Sequence, residues 1–198
     1  MTIQTVIFDL GNVLVFFSFS KMVGQLSACT GLKPGPIQEL LHEWQGAYEM
    51  GALTNEELYQ IFLKASNRSF TSQAFFQAAS DIFCLNQSMI PILHTLKKKV
   101  RLLLLSNTSQ AHFEFLLPRT PSLQLFDDFI LSYQVGSAKP DPRIFAEALK
   151  RANCPPQNCF YTDDVPEYTA AARLQGIDAE VFNGSDLLKK QLRSRRLL

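Results

Sequence analysis

The sequence predicts an α/β protein: a parallel, Rossmann-like sheet flanked by helices, with a helical segment inserted after the first strand. Three observations carry this reading. Five short apolar runs each stop abruptly at a polar residue, as buried strands that end in loops do. From about residue 88 onward the runs alternate with stretches whose apolar residues recur at helical spacing, the pattern of strand and crossover helix. Between residues 18 and 86 that alternation breaks, and only helical patterns remain.

The first run, Val6-Ile7-Phe8, stops at Asp9 and turns through Gly11 and Asn12. The insert follows, with stripes at Ile37, Leu40, Leu41 and Trp44, then Leu58, Ile61, Phe62 and Ala65, then Phe75, Ala78, Ala79 and Ile82. Thr54 with Glu57 makes a capping box at the start of the second stripe, and Gly31 and Gly51 stand where helices should end. No strand is expected within 18–86. The later strands run Val100 to Leu105 into Ser106-Asn107, Phe129 to Leu131 into Ser132, Phe160 to Thr162 into Asp163-Asp164, and Ala179 to Phe182. Helices fall between them at Met89, Ile92, Leu93 and Leu96, at Phe145, Ala148, Leu149 and Ala152, and from Pro166 to Gln175, where Pro opens the helix and Gly176 follows its end. The expected division is a core of residues 1–17 and 87–198 and an insert of 18–86.

Composition narrows the function. The 198 residues carry 19 Lys+Arg against 18 Asp+Glu, 46% hydrophobic residues and 19% charged, an ordinary globular balance and enough chain for a real core. A net charge of +1 gives no broad field for nucleic acid or anionic lipid, and neither partner is expected, nor is an obligate protein partner evident. No run of about 18 apolar residues suggests a membrane span, and the N-terminus lacks a basic region followed by a long apolar stretch, so a cytoplasmic location is expected. The cysteines at 29, 84, 154 and 159 lack C-x-x-C spacing and read as small buried hydrophobes. His42, His94 and His112 have no ligand-like spacing, and the tail Arg193, Arg195 and Arg196 reads as a solvated end.

Ligands of open parallel sheets bind beyond the carboxyl ends of the strands. The polar residues there are Asp9, Ser106-Asn107 and Asp163-Asp164, with Lys139 in the loop before the helix near Arg143. Each alone has an ordinary explanation as a turn, cap or surface residue. Together, acids, a hydroxyl and a lysine converging on one sheet edge suit a hard cation and a phosphate.

The order Phe8-Asp9-Leu10-Gly11-Asn12-Val13-Leu14, Leu105-Ser106-Asn107-Thr108, Lys139-Pro140-Asp141-Pro142-Arg143-Ile144-Phe145 and Thr162-Asp163-Asp164 resembles the four motifs of the haloacid dehalogenase superfamily. Tyr48 to Leu58 is similar to the helical cap of the branch that includes sugar-phosphate phosphatases and the phosphatase domain of epoxide hydrolases. The resemblance implies a Mg2+-dependent phosphohydrolase acting on a small phosphorylated metabolite, in which Asp9 is the nucleophile that forms an aspartyl-phosphate. It further implies that Asp9, the Gly11 carbonyl and Asp164 hold Mg2+, that Asp163 orients Lys139 or a metal-bound water, and that Ser106, the Asn107 N–H and Lys139 bind phosphoryl oxygens. Two departures stand out. Gly11 occupies the position where most phosphatases of the superfamily have a general acid, and Tyr168 replaces a common polar contact. Gly11 also keeps open a catalytically weak member that binds a phosphometabolite or a protein partner. The Asp163-Asp164 pair argues against a dehalogenase. Phe16 and Phe17 lie where a mobile flap is expected, and Trp44 and Tyr48, one turn apart, are core residues or face substrate.

Overall fold

Each of the five apolar runs forms a strand within one residue of its expected bounds in the computed structural model, which describes residues 2–198. In chain order the first half holds β1 (Thr5–Phe8), β2 (Val15–Phe17), α1 (Phe19–Thr30), α2 (Pro34–Glu49), α3 (Asn55–Ala65), α4 (Ser72–Ser80), β3 (Phe83–Leu85) and α5 (Ile90–Lys97). The second half holds β4 (Arg101–Ser106), α6 (Gln110–Leu116), β5 (Asp128–Leu131), α7 (Ser132–Val135), α8 (Pro142–Ala152), β6 (Cys159–Asp163), α9 (Pro166–Leu174), β7 (Asp178–Val181) and α10 (Ser185–Ser194).

The main sheet has the order β5-β4-β1-β6-β7 and is parallel throughout. The chain winds outward from β1 through β4 to β5, then crosses back to β6 on the other side, so the switch in strand order falls at β1. Both sheet faces are covered, which is why the strand runs are apolar without alternation. Val6 and Phe8 of β1 pack with Leu93 and Leu96 of α5 and with Leu188 and Leu192 of α10. Ile7, on the opposite face, packs with Ile144, Phe145 and Ala148 of α8 and Ala172 of α9. Tight packing on both faces fixes the strand ends, and with them the residues that follow.

The inserted helices α1 to α4 gather around their own apolar centre, including Leu26, Ile37, Phe62 and Phe75. The capping box forms as the sequence reads: the Thr54 N–H donates to Glu57 Oε2 at 2.8 Å and the Glu57 N–H donates to Thr54 Oγ1 at 3.2 Å. Ala111 of α6 joins this centre from the core side.

Some expectations need correction. A strand does exist within 18–86: Phe83–Leu85 pairs antiparallel with Val15–Phe17 in a two-stranded ribbon. Three residues with mixed exposure give no periodicity to read, and only the pairing makes them a strand. Phe16 and Phe17, each about half exposed, therefore belong to a hydrogen-bonded ribbon at the base of the insert. Cys84 is exposed on that ribbon, whereas Cys159 is buried and its thiol is pushed up to about 12, chiefly by that burial. Arg195 is no solvated tail residue: its guanidinium reaches Asp178 at 2.5 and 2.6 Å and lies 4.3 Å from the Phe160 ring centroid. Helices α6 and α10, for which the sequence reading marked no stripe, both cover the sheet. Among the described residues no helix is long and apolar enough to cross a membrane.

Candidate active site

The carboxyl ends of β1, β4 and β6 lie side by side, because Phe8 is in register with Leu104 on one side and Thr162 on the other. Asp9, Ser106 and Asp163 follow from that register. Asp9 and Ser106 are buried, and Asp163 is wholly so. Lys139 arrives from the loop after α7 and is itself 4% exposed. Its ammonium donates to Asp9 Oδ1 at 2.5 Å, Asp163 Oδ2 at 2.6 Å and the Leu105 carbonyl at 3.3 Å.

Asn107 steers the lysine. Its amide donates to the Lys139 carbonyl at 2.9 Å, and its Oδ1 accepts from the Lys139 N–H at 2.7 Å, so both backbone groups of Lys139 are fixed by one side chain. The Tyr168 hydroxyl lies 3.5 Å from the Asn107 amide, and its ring centroid is 5.0 Å from the Lys139 ammonium. The position that departs from the common pattern thus still contacts the site. Asp163 is held just as firmly: Oδ1 accepts from the Val165 N–H at 2.8 Å, and Oδ2 accepts from Lys139 and from the Tyr161 hydroxyl.

A buried ammonium between two carboxylates survives desolvation only because every partner is in place. Burial opposes the charge of Lys139, but the two carboxylates outweigh it and hold its pKa above the ordinary lysine value. Burial is also the largest influence on Asp9, pushing its carboxyl up; Lys139 pulls it down and Asp163 pushes it up again, leaving it at about 7.

Oxygens of Asp9, Asp163 and Asp164 come within 4.8 Å of one another, the only such acidic cluster among the described residues. With Asp163 engaged on both oxygens, the carboxylate atoms left over are Asp9 Oδ2 and Asp164 Oδ1; Asp164 Oδ2 accepts from the Asn12 amide at 2.9 Å. Free, closely spaced carboxylate oxygens beside a backbone turn suit a hard divalent cation, which prefers oxygen ligands. Gly11 lies in that turn. Its φ is not in the left-handed region, where Asn12 sits at 54°, and a Cβ on it would meet the Phe17 ring at 3.3 Å and Asp9 Oδ2 at 3.9 Å.

A cavity of about 120 Å³ lies above these residues, lined by Gly11, Ser106, Asn107 and Phe17 from below and by Met22, Gln45 and Glu49 from the inserted helices. Glu49 ends α2; its Oε1 accepts from the Gln45 amide at 2.7 Å, and burial pushes its carboxyl above the ordinary range. His112 lines the same cavity from α6, against Phe83 at a ring distance of 5.4 Å, and burial lowers its pKa to about 4. Neither Glu49 nor His112 was singled out as a site residue from the sequence. Tyr48 is buried within the insert, where its hydroxyl donates to Asn55 at 2.5 Å, and Trp44 packs on the insert's own centre. The end of α2 also touches the core directly. Ser132 Oγ donates to the Glu49 carbonyl at 2.6 Å, and Gly51, at φ +69°, lies where a Cβ would be 2.2 Å from the Tyr133 carbonyl oxygen. Only glycine fits there.

Residues 3–176 match a family model described as haloacid dehalogenase-like hydrolase. Drimenol cyclase drtB of Aspergillus calidoustus is 30% identical over 196 residues, which are 96% of this chain and 36% of that protein, so the chain spans about a third of that relative. D-ribitol-5-phosphate phosphatase of Bacteroides thetaiotaomicron is 28% identical over 179 residues, covering 82% of this chain and 83% of that one. A HAD family enzyme of the same organism, in a crystal structure with magnesium and inorganic phosphate, superimposes with a TM-score of 0.82 at 22% identity, over 90% of this chain and 93% of the other. With its α/β fold and the family match across most of its length, the chain belongs to the haloacid dehalogenase-like hydrolases.

Proposed function

We propose that this hydrolase is a Mg2+-dependent phosphohydrolase of the cytoplasm, acting on a small phosphorylated metabolite through an aspartyl-phosphate on Asp9, with the inserted helices as a cap over the site and no obligate protein partner. The observation that carries the reading is the buried Asp9–Lys139–Asp163 cluster with the spare carboxylate oxygens of Asp9 and Asp164 beside it. It supplies a nucleophile, a cation for phosphoryl oxygens and a place for a divalent metal within one sheet edge. The relatives lend support: one is by its name a phosphatase of D-ribitol 5-phosphate, and another was crystallised with magnesium and phosphate.

In this reading an oxygen of Asp9 attacks phosphorus as the bond to the alcohol oxygen breaks. Lys139, Ser106 and the Asn107 N–H bind phosphoryl oxygens, whose charge grows in the transition state, so these donors stabilise it more than the ground state. Asp163 and Asn107 position Lys139. Asp9, the Gly11 carbonyl and Asp164 would hold Mg2+, which would supply positive charge between anions that otherwise repel. The leaving oxygen needs a proton, and Gly11 has none to give. Glu49 lines the cavity from the cap side, and burial favours its protonated form. Glu49 donates that proton, then takes one back from the water that hydrolyses the aspartyl-phosphate.

The competing reading, a weak member that binds a phosphometabolite or a protein, draws on Gly11 alone. A panel of phosphate esters with and without Mg2+, run beside Asp9→Asn, decides between them. Turnover that needs both Mg2+ and Asp9 supports the hydrolase; binding of the esters without turnover supports the competitor.

A further inference from the structure

We infer that the substrate is the phosphate monoester of an apolar alcohol, whose carbon chain occupies a second chamber that opens from the catalytic cavity into the inserted helices. The inference rests on the phosphohydrolase reading and narrows it to one substrate class. The two chambers share Met22, Gln45, Glu49 and His112, so they lie side by side, and these four side chains stand where a chain bound at Ser106 and Asn107 would pass from one into the other. Beyond those residues the second chamber is walled by Leu26, Leu41, Leu58, Phe75, Phe76 and Ala79.

Apart from Glu49 at the shared wall, the polar groups of that chamber offer little to a polyol. The Tyr48 hydroxyl is committed to Asn55 at 2.5 Å, Ser109 caps α6 by accepting from the His112 N–H at 3.4 Å, and the Gln45 amide is bonded to Glu49. His112 is uncharged at neutral pH. Hydroxyls of a sugar or polyol entering here would exchange water for carbon, a loss that hydrogen-bonding sites avoid and this one does not. Methylenes gain instead. The chamber measures about 60 Å³. At roughly 10–15 Å³ for each water-sized group this is room for about four to six carbons. The match is a short alkyl or branched chain of about that length beyond the carbons next to the phosphate.

The test is kcat/KM of the Mg2+-loaded protein for ethyl, butyl, hexyl, octyl and decyl phosphates, for ribitol and glycerol phosphates, and for p-nitrophenyl phosphate as a reporter of basic phosphatase competence. Each methylene entering a dry apolar wall should raise kcat/KM about fourfold until the chamber is full, with decyl phosphate gaining little over octyl and the polyol phosphates poorer than butyl phosphate. Ala79→Phe should shorten the chain length at which the gain stops, lowering the hexyl-to-ethyl ratio about tenfold or more, and Phe76→Ala should lengthen it. The ratio within each variant separates loss of the chamber from loss of fold, and either variant alone suffices. If p-nitrophenyl phosphate is hydrolysed but rates ignore chain length, or ribitol phosphate is the best ester, the inference is overturned while the phosphohydrolase stands. If no ester is hydrolysed, p-nitrophenyl phosphate included, both fall.

Discussion

Glu49 and Gly11 line one cavity, the carboxylate carried by the last residue of α2 and the glycine by the loop after β1. The residue that lacks an acid and the residue that offers one thus face the same cavity, although 38 positions separate them in the chain.

Glu49→Gln should therefore hurt poor leaving groups most. Positioned acid catalysis contributes about 10²- to 10⁴-fold, so kcat/KM for an alkyl phosphate should fall by about 10²-fold or more while p-nitrophenyl phosphate loses less than about tenfold. Equal losses for both esters would remove Glu49 from the proton's path.

Gly11→Asp should fold and should rescue that variant. The backbone at Gly11 is not left-handed, and the new Cβ is crowded only by a half-exposed Phe17 ring at 3.3 Å, with Asp9 Oδ2 at an ordinary contact distance of 3.9 Å. In the Glu49→Gln background, the added carboxyl should recover at least tenfold of the lost alkyl-phosphate activity; no recovery means that the side chain at 11 does not reach the leaving oxygen.

Asp163 and Asp164 should separate cleanly. Asp164→Ala removes a carboxylate whose one hydrogen bond among the described residues is from the Asn12 amide, so it should raise the Mg2+ concentration needed for activity with little change in melting temperature. Asp163→Ala strands the Tyr161 hydroxyl and leaves the buried Lys139 with Asp9 as its one carboxylate, and breaking such a cluster costs about 3–5 kcal/mol. Chemical denaturation checks the stability and a Mg2+ titration of activity checks the metal.

His112 makes acid destabilising. It releases its proton at about pH 4 in the folded chain and near 6.5 when unfolded, so between those values the unfolded chain binds the extra proton. Its contribution is complete above pH 6.5 and is lost as the pH falls toward 4, on the order of 3 kcal/mol in all. Asp9, shifted upward, slopes the other way, so the measurement is the difference between wild type and His112→Leu in urea at pH 7 and pH 5. The variant should lose less stability on acidification than wild type does.

The sequence was most legible where chemistry follows a strand. Asp9, Ser106, Asp163 and Asp164 announce themselves because an apolar run that ends in an acid or hydroxyl puts that group at a sheet edge, and parallel register brings such edges together. Lys139 was readable from its motif, though not the carbonyl and carboxylates that surround its ammonium. Glu49 and His112 were not readable, because which side of a helix meets the cavity depends on how the insert sits on the core. Only packing decides that. Arg195 was misread for a related reason: its partner Asp178 lies 17 positions upstream, on a neighbouring strand, and a charge near a chain end carries no sign of that.

The inserted helices touch the core at three separate places: the β2–β3 ribbon at their root, Ala111 of α6 against the insert's own apolar centre, and the Ser132–Glu49 and Gly51–Tyr133 contacts at the tip of α2. A body held at three places turns only by giving one of them up. Widening the mouth of the cavity therefore means loosening one of these contacts, and a substrate's way in is set by geometry that no one of them determines alone. A side chain forced onto position 51 would release the tip of α2 and leave the insert held at the other two, a change of freedom rather than of shape.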